Sequence, residues 1–149
     1  MPPSLDDAAD LYEVRASLES LIVQRFVERA SDDQLVQLGR TVDKFAEVVD
    51  SGADVRDILA AKNEFYVVLI AGAATNAVQQ LLEAIQARVQ ALRATSLAAP
   101  GRSHDVIGEL QAIVEATSRR DASRASELMA AHVRAAARTA LSSLKDGVA

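Results

Sequence analysis

The chain has 149 residues, half of them hydrophobic, which allows one domain with a real core and argues against disorder. Its net charge of −5 and pI near 5.0 exclude the basic face of a nucleic-acid-binding domain, and the lack of cysteine excludes disulfides, thiolate metal sites and cysteine nucleophiles. Six glycines and three prolines leave little punctuation for a sheet of short strands, while abundant alanine favours packed helices.

Residues 1–7 read as a lead-in, followed by one all-helical domain over 8–145 and a tail over 146–149. The first helix is predicted from about Ala8 to Ala30, with Leu11, Val14, Leu18, Leu21, Ile22 and Phe26 at helical spacing. Ser31 with Gln34 is a capping-box signal, and it opens a second helix through Leu35, Leu38, Val42, Phe45 and Val49. Gly52 within "DSGAD" marks the stop.

A third helix is predicted over Val55–Ala71, ending at Gly72. Asn76 reads as the cap of the fourth, with Gln79 at the box position and a stripe of Val78, Leu81, Leu82, Ile85, Val89 and Leu92. "TSLAAPGRS" is the obvious loop, holding Pro100 and Gly101. Ser103 or His104 opens a fifth helix carrying Val106, Ile107, Leu110, Ile113 and Val114. Asp121 caps the last, whose stripe of Ala125, Leu128, Met129, Val133, Ala136, Ala140 and Leu141 has His132 in its middle. These spacings predict an all-α antiparallel bundle of about six helices.

The start, "MPPSLDDAAD", is acidic and unlike a signal peptide, and "FYVVLIAGAA" is too short to span a bilayer. A soluble, cytoplasmic protein without membrane contact is expected. There is no glycine-rich phosphate loop, no HExxH pair, no Glu-x-x-His pair and no nucleophile elbow, so no enzyme is expected. Polar residues on apolar stripes remain. His132 has the ordinary role of a hydrogen-bonded core histidine. Tyr66 reads as an amphipathic core residue and Lys62 as one that snorkels to solvent. On a helix Lys62 and Tyr66 share a face, and a lysine buried there needs an anionic partner.

The order of several segments carries a family resemblance. "LYEVRASLESLIVQRFVERASDDQL", with Leu11, Tyr12, Arg15 and Glu19, resembles the opening of the C-terminal effector domain of FadR-type GntR regulators, the FCD domain. "NEFYVVLIAGAATNAVQQLLEAI" and "GELQAIVEATSRRDASRASELMAAHV" resemble its later segments, and the likeness runs over about residues 10–143. About six helices suits its shorter, VanR-like version.

The resemblance implies a homodimer, a small-molecule effector and often a divalent metal held by one Asp and three His. Residue by residue, the Asp position falls on Lys62, the first His on Tyr66, the second on Leu110 after Glu109, and only the last is kept, as His132. One ligand of four does not make a transition-metal site, so no metal and no cofactor are expected. Lys62 would supply the positive charge instead, with Tyr66 and His132 as hydrogen-bond donors to a carboxylate. The expected ligand-binding set is Lys62, Tyr66, Leu110 and His132, with Arg88 as a further candidate. The winged helix that reads DNA in such regulators lies outside this stretch, so no direct nucleic-acid binding is expected. The alternative is a structural dimerisation module whose pocket is filled by side chains.

Overall fold

The computed structural model describes residues 4–147, which form six helices: α1 (Leu5–Arg29), α2 (Asp32–Asp50), α3 (Val55–Ala73), α4 (Asn76–Ala98), α5 (Arg102–Ser118) and α6 (Ala122–Gly147). The all-α class holds, and among the described residues there is no strand. α1 packs most extensively on α6 and also contacts α3 and α4; α2 leans on α3 and α5, and α5 closes onto α6. One core runs through the bundle, centred on Phe26, Phe45, Phe65, Leu69, Leu110, Ile113 and Met129.

The ends of the helices follow local chemistry. α1 begins at Leu5 rather than Ala8, because Ser4 accepts the Asp7 N–H at 3.1 Å and Asp6 and Asp7 favour the helix N-terminus. Residues 5–7 of the expected lead-in are therefore helical, with residues 1–3 outside the described stretch. α6 likewise runs on to Gly147, leaving 148–149 of the expected tail outside it. The Ser31–Gln34 capping box is present in both directions, at 3.1 and 2.9 Å. Gly52 lies after α2 with φ 75°, and Asp121 accepts the Arg124 N–H at 3.1 Å at the start of α6.

Further boundaries, those of α3, α4 and α5, also differ from expectation. Gly72 does not end α3; it is buried inside the helix, where a Cβ would lie 2.5 Å from the Phe26 ring. Its lack of a side chain lets α1 and α3 approach, and Ala74, left-handed at φ 51°, ends the helix instead. Arg29 reinforces that end by donating to the Ala73 and Ala74 carbonyls at 3.1 and 3.2 Å. Asn76 is the first residue of α4, not its cap; Thr75 precedes it without a side-chain capping bond, and Gln79 donates to Glu83. α4 continues to Ala98, so the loop shrinks to residues 99–101, where Gly101 takes φ 77° and α5 starts at once with Arg102.

The inward face of α1 is also rotated from the expected one. Val14 is exposed and Leu11, Leu18 and Leu21 are only half-buried, while Tyr12, Arg15, Ala16 and Glu19 are buried with Ile22 and Phe26. On α4, Leu81 is exposed and Leu82, Val89 and Leu92 face the core, continued by Arg93 and Ser96. Both shifts bring polar residues to the centre. Reciprocal bonds between Ser20 and Ser126, each hydroxyl donating to the other's carbonyl at 3.2 and 3.1 Å, fix the α1–α6 register beside them.

Candidate functional site

Where α1, α3, α4, α5 and α6 converge, the core is polar. Arg15 and Glu19, four residues apart on α1, point the same way and form a fully buried ion pair. Tyr66 of α3 joins it from the side: its hydroxyl donates to Glu19 at 2.6 Å and accepts from Arg15 Nη2 at 3.3 Å. Burial alone would raise the Glu19 carboxyl, but the Arg15 guanidinium and the Tyr66 hydroxyl outweigh it and hold Glu19 below the usual carboxylate range. Burial, then the Glu19 charge, pushes the Tyr66 phenol well up, so it stays a donor.

A second group lies across the bundle. Arg102, the first residue of α5, forks onto Glu109 at 2.6 and 2.8 Å. Glu109 also takes the His132 Nδ1–H at 2.6 Å. Burial works to raise the Glu109 carboxyl, yet the hydrogen bonds from His132 and Arg102 bring it down to about 2. Burial, then the Lys62 charge, pushes His132 down to about 4, so at neutral pH its ring is uncharged. With the Nδ1 proton given to Glu109, Nε2 is a buried acceptor, and it has no partner among the described residues.

Between the two groups lies a cavity of about 10 Å³, walled by the four cations Arg15, Lys62, Arg93 and Arg102 together with Tyr12 and Ser96. Lys62 is 4% exposed, so it does not snorkel out. Burial, then Arg15 and Arg93, holds its amine well below the ordinary lysine range. Arg93, on α4, is depressed by burial. Lys62 Nζ and the Arg93 guanidinium both lie against the Tyr66 ring, 5.9 and 5.8 Å from its centroid. The Tyr12 hydroxyl and Arg102 Nε are buried without partners.

The predicted site residues therefore separate. Lys62, Tyr66 and His132 are all buried in this polar centre, with Lys62 on the cavity wall itself. Leu110 is fully buried as a core residue and does not line the cavity. Arg88 is exposed on the outer side of α4; the arginine facing inward is Arg93, five residues on. A five-residue step rotates a side chain by well over a quarter turn of helix, enough to move it from solvent to core.

The sequence reading missed Tyr12, Arg15, Glu19, Arg93, Arg102 and Glu109 as site residues. Tyr12, Arg15 and Glu19 share a helical face with Ile22 and Phe26. That phase was readable, but a face with two charges scores as surface.

A metal of the kind some FCD domains hold does not fit these residues. Among the described residues no group of three or more His, Cys, Asp or Glu could hold a metal ion. His132 Nε2 offers a single imidazole lone pair, and the Lys62 charge acts on that ring.

The structure is thus an all-helical bundle with a buried polar centre. The chain belongs to the FCD domain family, whose model matches residues 10–135. It is similar to a curated protein of Bacillus subtilis (strain 168) described as an uncharacterized HTH-type transcriptional regulator, YdhC. The two are 20% identical over 126 residues, which cover 85% of this chain and 56% of that one. Among solved structures, the fold is similar to a Streptococcus agalactiae GntR, with a TM-score of 0.73 and 24% identity. That match covers 88% of this chain and 58% of the other. The chain thus spans little more than half the length of the relatives it matches. Among the described residues, no helix is long and apolar enough to cross a membrane.

Proposed function

We propose that this chain is the ligand-sensing and dimerisation domain of a cytoplasmic GntR-type transcription regulator, and that it binds a small anionic effector, such as a carboxylate, without a metal. The observation that carries the reading is the charge around the cavity: four cationic side chains against the two carboxylates of Glu19 and Glu109. Buried cations without counter-charges are costly, and an anion is what relieves them. The unpartnered Tyr12 hydroxyl and Arg102 Nε are donors of the type a carboxylate accepts.

In this reading Lys62 supplies the positive charge that a metal supplies elsewhere in the family. Tyr66 holds the Arg15–Glu19 pair in register, and neutral His132 offers an acceptor. The domain pairs with a second copy, and a DNA-reading domain of the kind an HTH-type relative carries would report the bound state. Differential affinity of the effector for two dimer arrangements would supply the signal. No catalytic step is assigned, since no nucleophile is paired with a base in the cluster.

A structural module is favoured by one observation, the cavity's size: about 10 Å³ is room for a single water. Calorimetric titration with a panel of carboxylates, repeated on Lys62→Ala, separates the two. The sensing reading expects binding by the parent and weakened binding by the variant. Equal binding by both proteins sinks the role of Lys62, and no binding by either leaves the structural module. Sedimentation of the purified chain tests the dimer.

A further inference from the structure

The four cations around the cavity are of two kinds. Arg15 is neutralised by Glu19, and Arg102 is held by both oxygens of Glu109 at 2.6 and 2.8 Å. Arg93 and Lys62 are not neutralised. Arg93 donates to neutral amide oxygens, Asn63 at 2.9 Å and Gln90 at 3.4 Å. Among the described residues Lys62 has neither an ion-pair nor a hydrogen-bond partner, and its Nζ lies 5.9 Å from the centroid of the Tyr66 ring, which the Arg93 guanidinium approaches to 5.8 Å. The ring quadrupole offsets only a small part of two buried charges.

We propose that the site takes a compact dianion, a short dicarboxylate or a phosphate monoester, whose two charges are shared between Lys62 and Arg93. This rests on the anionic-effector reading above and narrows it. A monoanion would leave one of the two cations without a counter-charge, whereas a dianion brings the site to balance. Arginine offers a planar fork and lysine a point charge, so the pair accepts one extended and one compact anionic group.

The same geometry says how such a ligand enters. The cavity is too small for it, and Arg93 forms part of the wall. Arg93 also lines an open groove of about 530 Å³ between α3 and α4, beside Tyr66, Gln79 and Glu83. Its tethers, Asn63 and Gln90, are exposed neutral residues, and water replaces such hydrogen bonds at little cost. Displacing Arg93 therefore joins groove to cavity and leaves its guanidinium at the mouth, ready to meet the incoming charge.

The test is titration calorimetry of the chain in chloride-poor buffer at neutral pH with acetate, succinate and inorganic phosphate. Succinate or phosphate is expected to bind at least about tenfold more tightly than acetate. Lys62→Met and Arg93→Gln are each expected to weaken succinate and phosphate binding by at least about tenfold and so remove most of that preference. Thermal melts verify that both variants are folded; Lys62→Met deletes a buried unpaired charge, which favours folding. Succinate ahead of phosphate identifies the dicarboxylate, and the reverse order the phosphate monoester. Acetate binding as tightly as both dianions overturns the dianion and leaves the anionic effector standing. Absence of binding by all three overturns both.

Discussion

The Tyr66 hydroxyl donates to Glu19 at 2.6 Å, from α3 to α1, at the point where Glu19 also neutralises Arg15. One phenol thus joins a buried ion pair to the aromatic face against which Lys62 and Arg93 rest. Removing it tests whether the polar centre is a connected unit. Tyr66→Phe keeps the ring and deletes the bonds to both charges, so it should destabilise the domain by about 2 kcal/mol in urea unfolding. A negligible change would mean that water replaces the hydroxyl.

Breaking the ion pair itself should be worse. Glu19→Gln leaves Arg15 buried beside Lys62, Arg93 and Arg102 with no facing charge, at a cost of about 3–5 kcal/mol. An added dianion should restore part of the lost melting temperature, because it supplies the missing negative charge. Failure of every anion to raise the variant's melting temperature would count against an anion site.

Lys62→Met should stabilise the ligand-free domain. The folded-state pKa of Lys62 lies well below that of an unfolded lysine, so the unfolded chain binds the proton more tightly. Stability therefore falls as pH drops below the ordinary lysine range, and at neutral pH the parent carries that cost. Methionine of similar length removes it, by about 1–3 kcal/mol in chemical denaturation. The same variant should lose anion affinity, so stability and binding move in opposite directions.

Acid should unfold the domain through His132. Its folded pKa is about 4 against 6.5 unfolded, so its contribution is complete above 6.5 and is lost as pH falls from there to about 4. The shift of about 2.5 units corresponds to a contribution on the order of 3 kcal/mol. Glu109, at about 2 against 4.5, adds a further loss as pH falls from 4.5 toward 2. His132→Gln should flatten the stability profile between pH 6.5 and 4, and it should shrink the lower limb as far as Glu109 loses the His132 hydrogen bond. An unchanged upper limb would show that another group titrates there.

Two glycines should answer oppositely to the same change. At Gly72 an added Cβ meets the Phe26 ring at 2.5 Å and Ala30 at 3.2 Å, so Gly72→Ala should cost about 1–3 kcal/mol by overpacking. At Gly108, inside α5, nothing lies within 4 Å of the new methyl, and Gly108→Ala should stabilise by about 0.5–1 kcal/mol through helix propensity. Equal melting temperatures for the pair would contradict the close α1–α3 packing.

Apolar spacing alone made the helix count legible, because each helix buries a stripe whatever its neighbours are. The Ser31–Gln34 box and the Asp121 cap were legible for the same reason: capping is chemistry within three residues. Gly72 misled because glycine ends helices and also permits close packing; only the position of Phe26 distinguishes the two. At the site, Lys62, Tyr66 and His132 stood out as polar residues on apolar faces. Arg93 did not, because nothing in "ARVQALRATS" says which of its arginines faces inward.

The sequence by itself determined an acidic, all-helical bundle with polar residues, Lys62 among them, on its apolar faces, since composition, periodicity and residue identity need no partner. The tertiary structure alone decided that Arg15, Arg93 and Arg102 meet Lys62 around one cavity, and that only two of the four cations receive a carboxylate. These residues lie on four helices, and the balance of charge at a point depends on distances that packing sets and chain order does not.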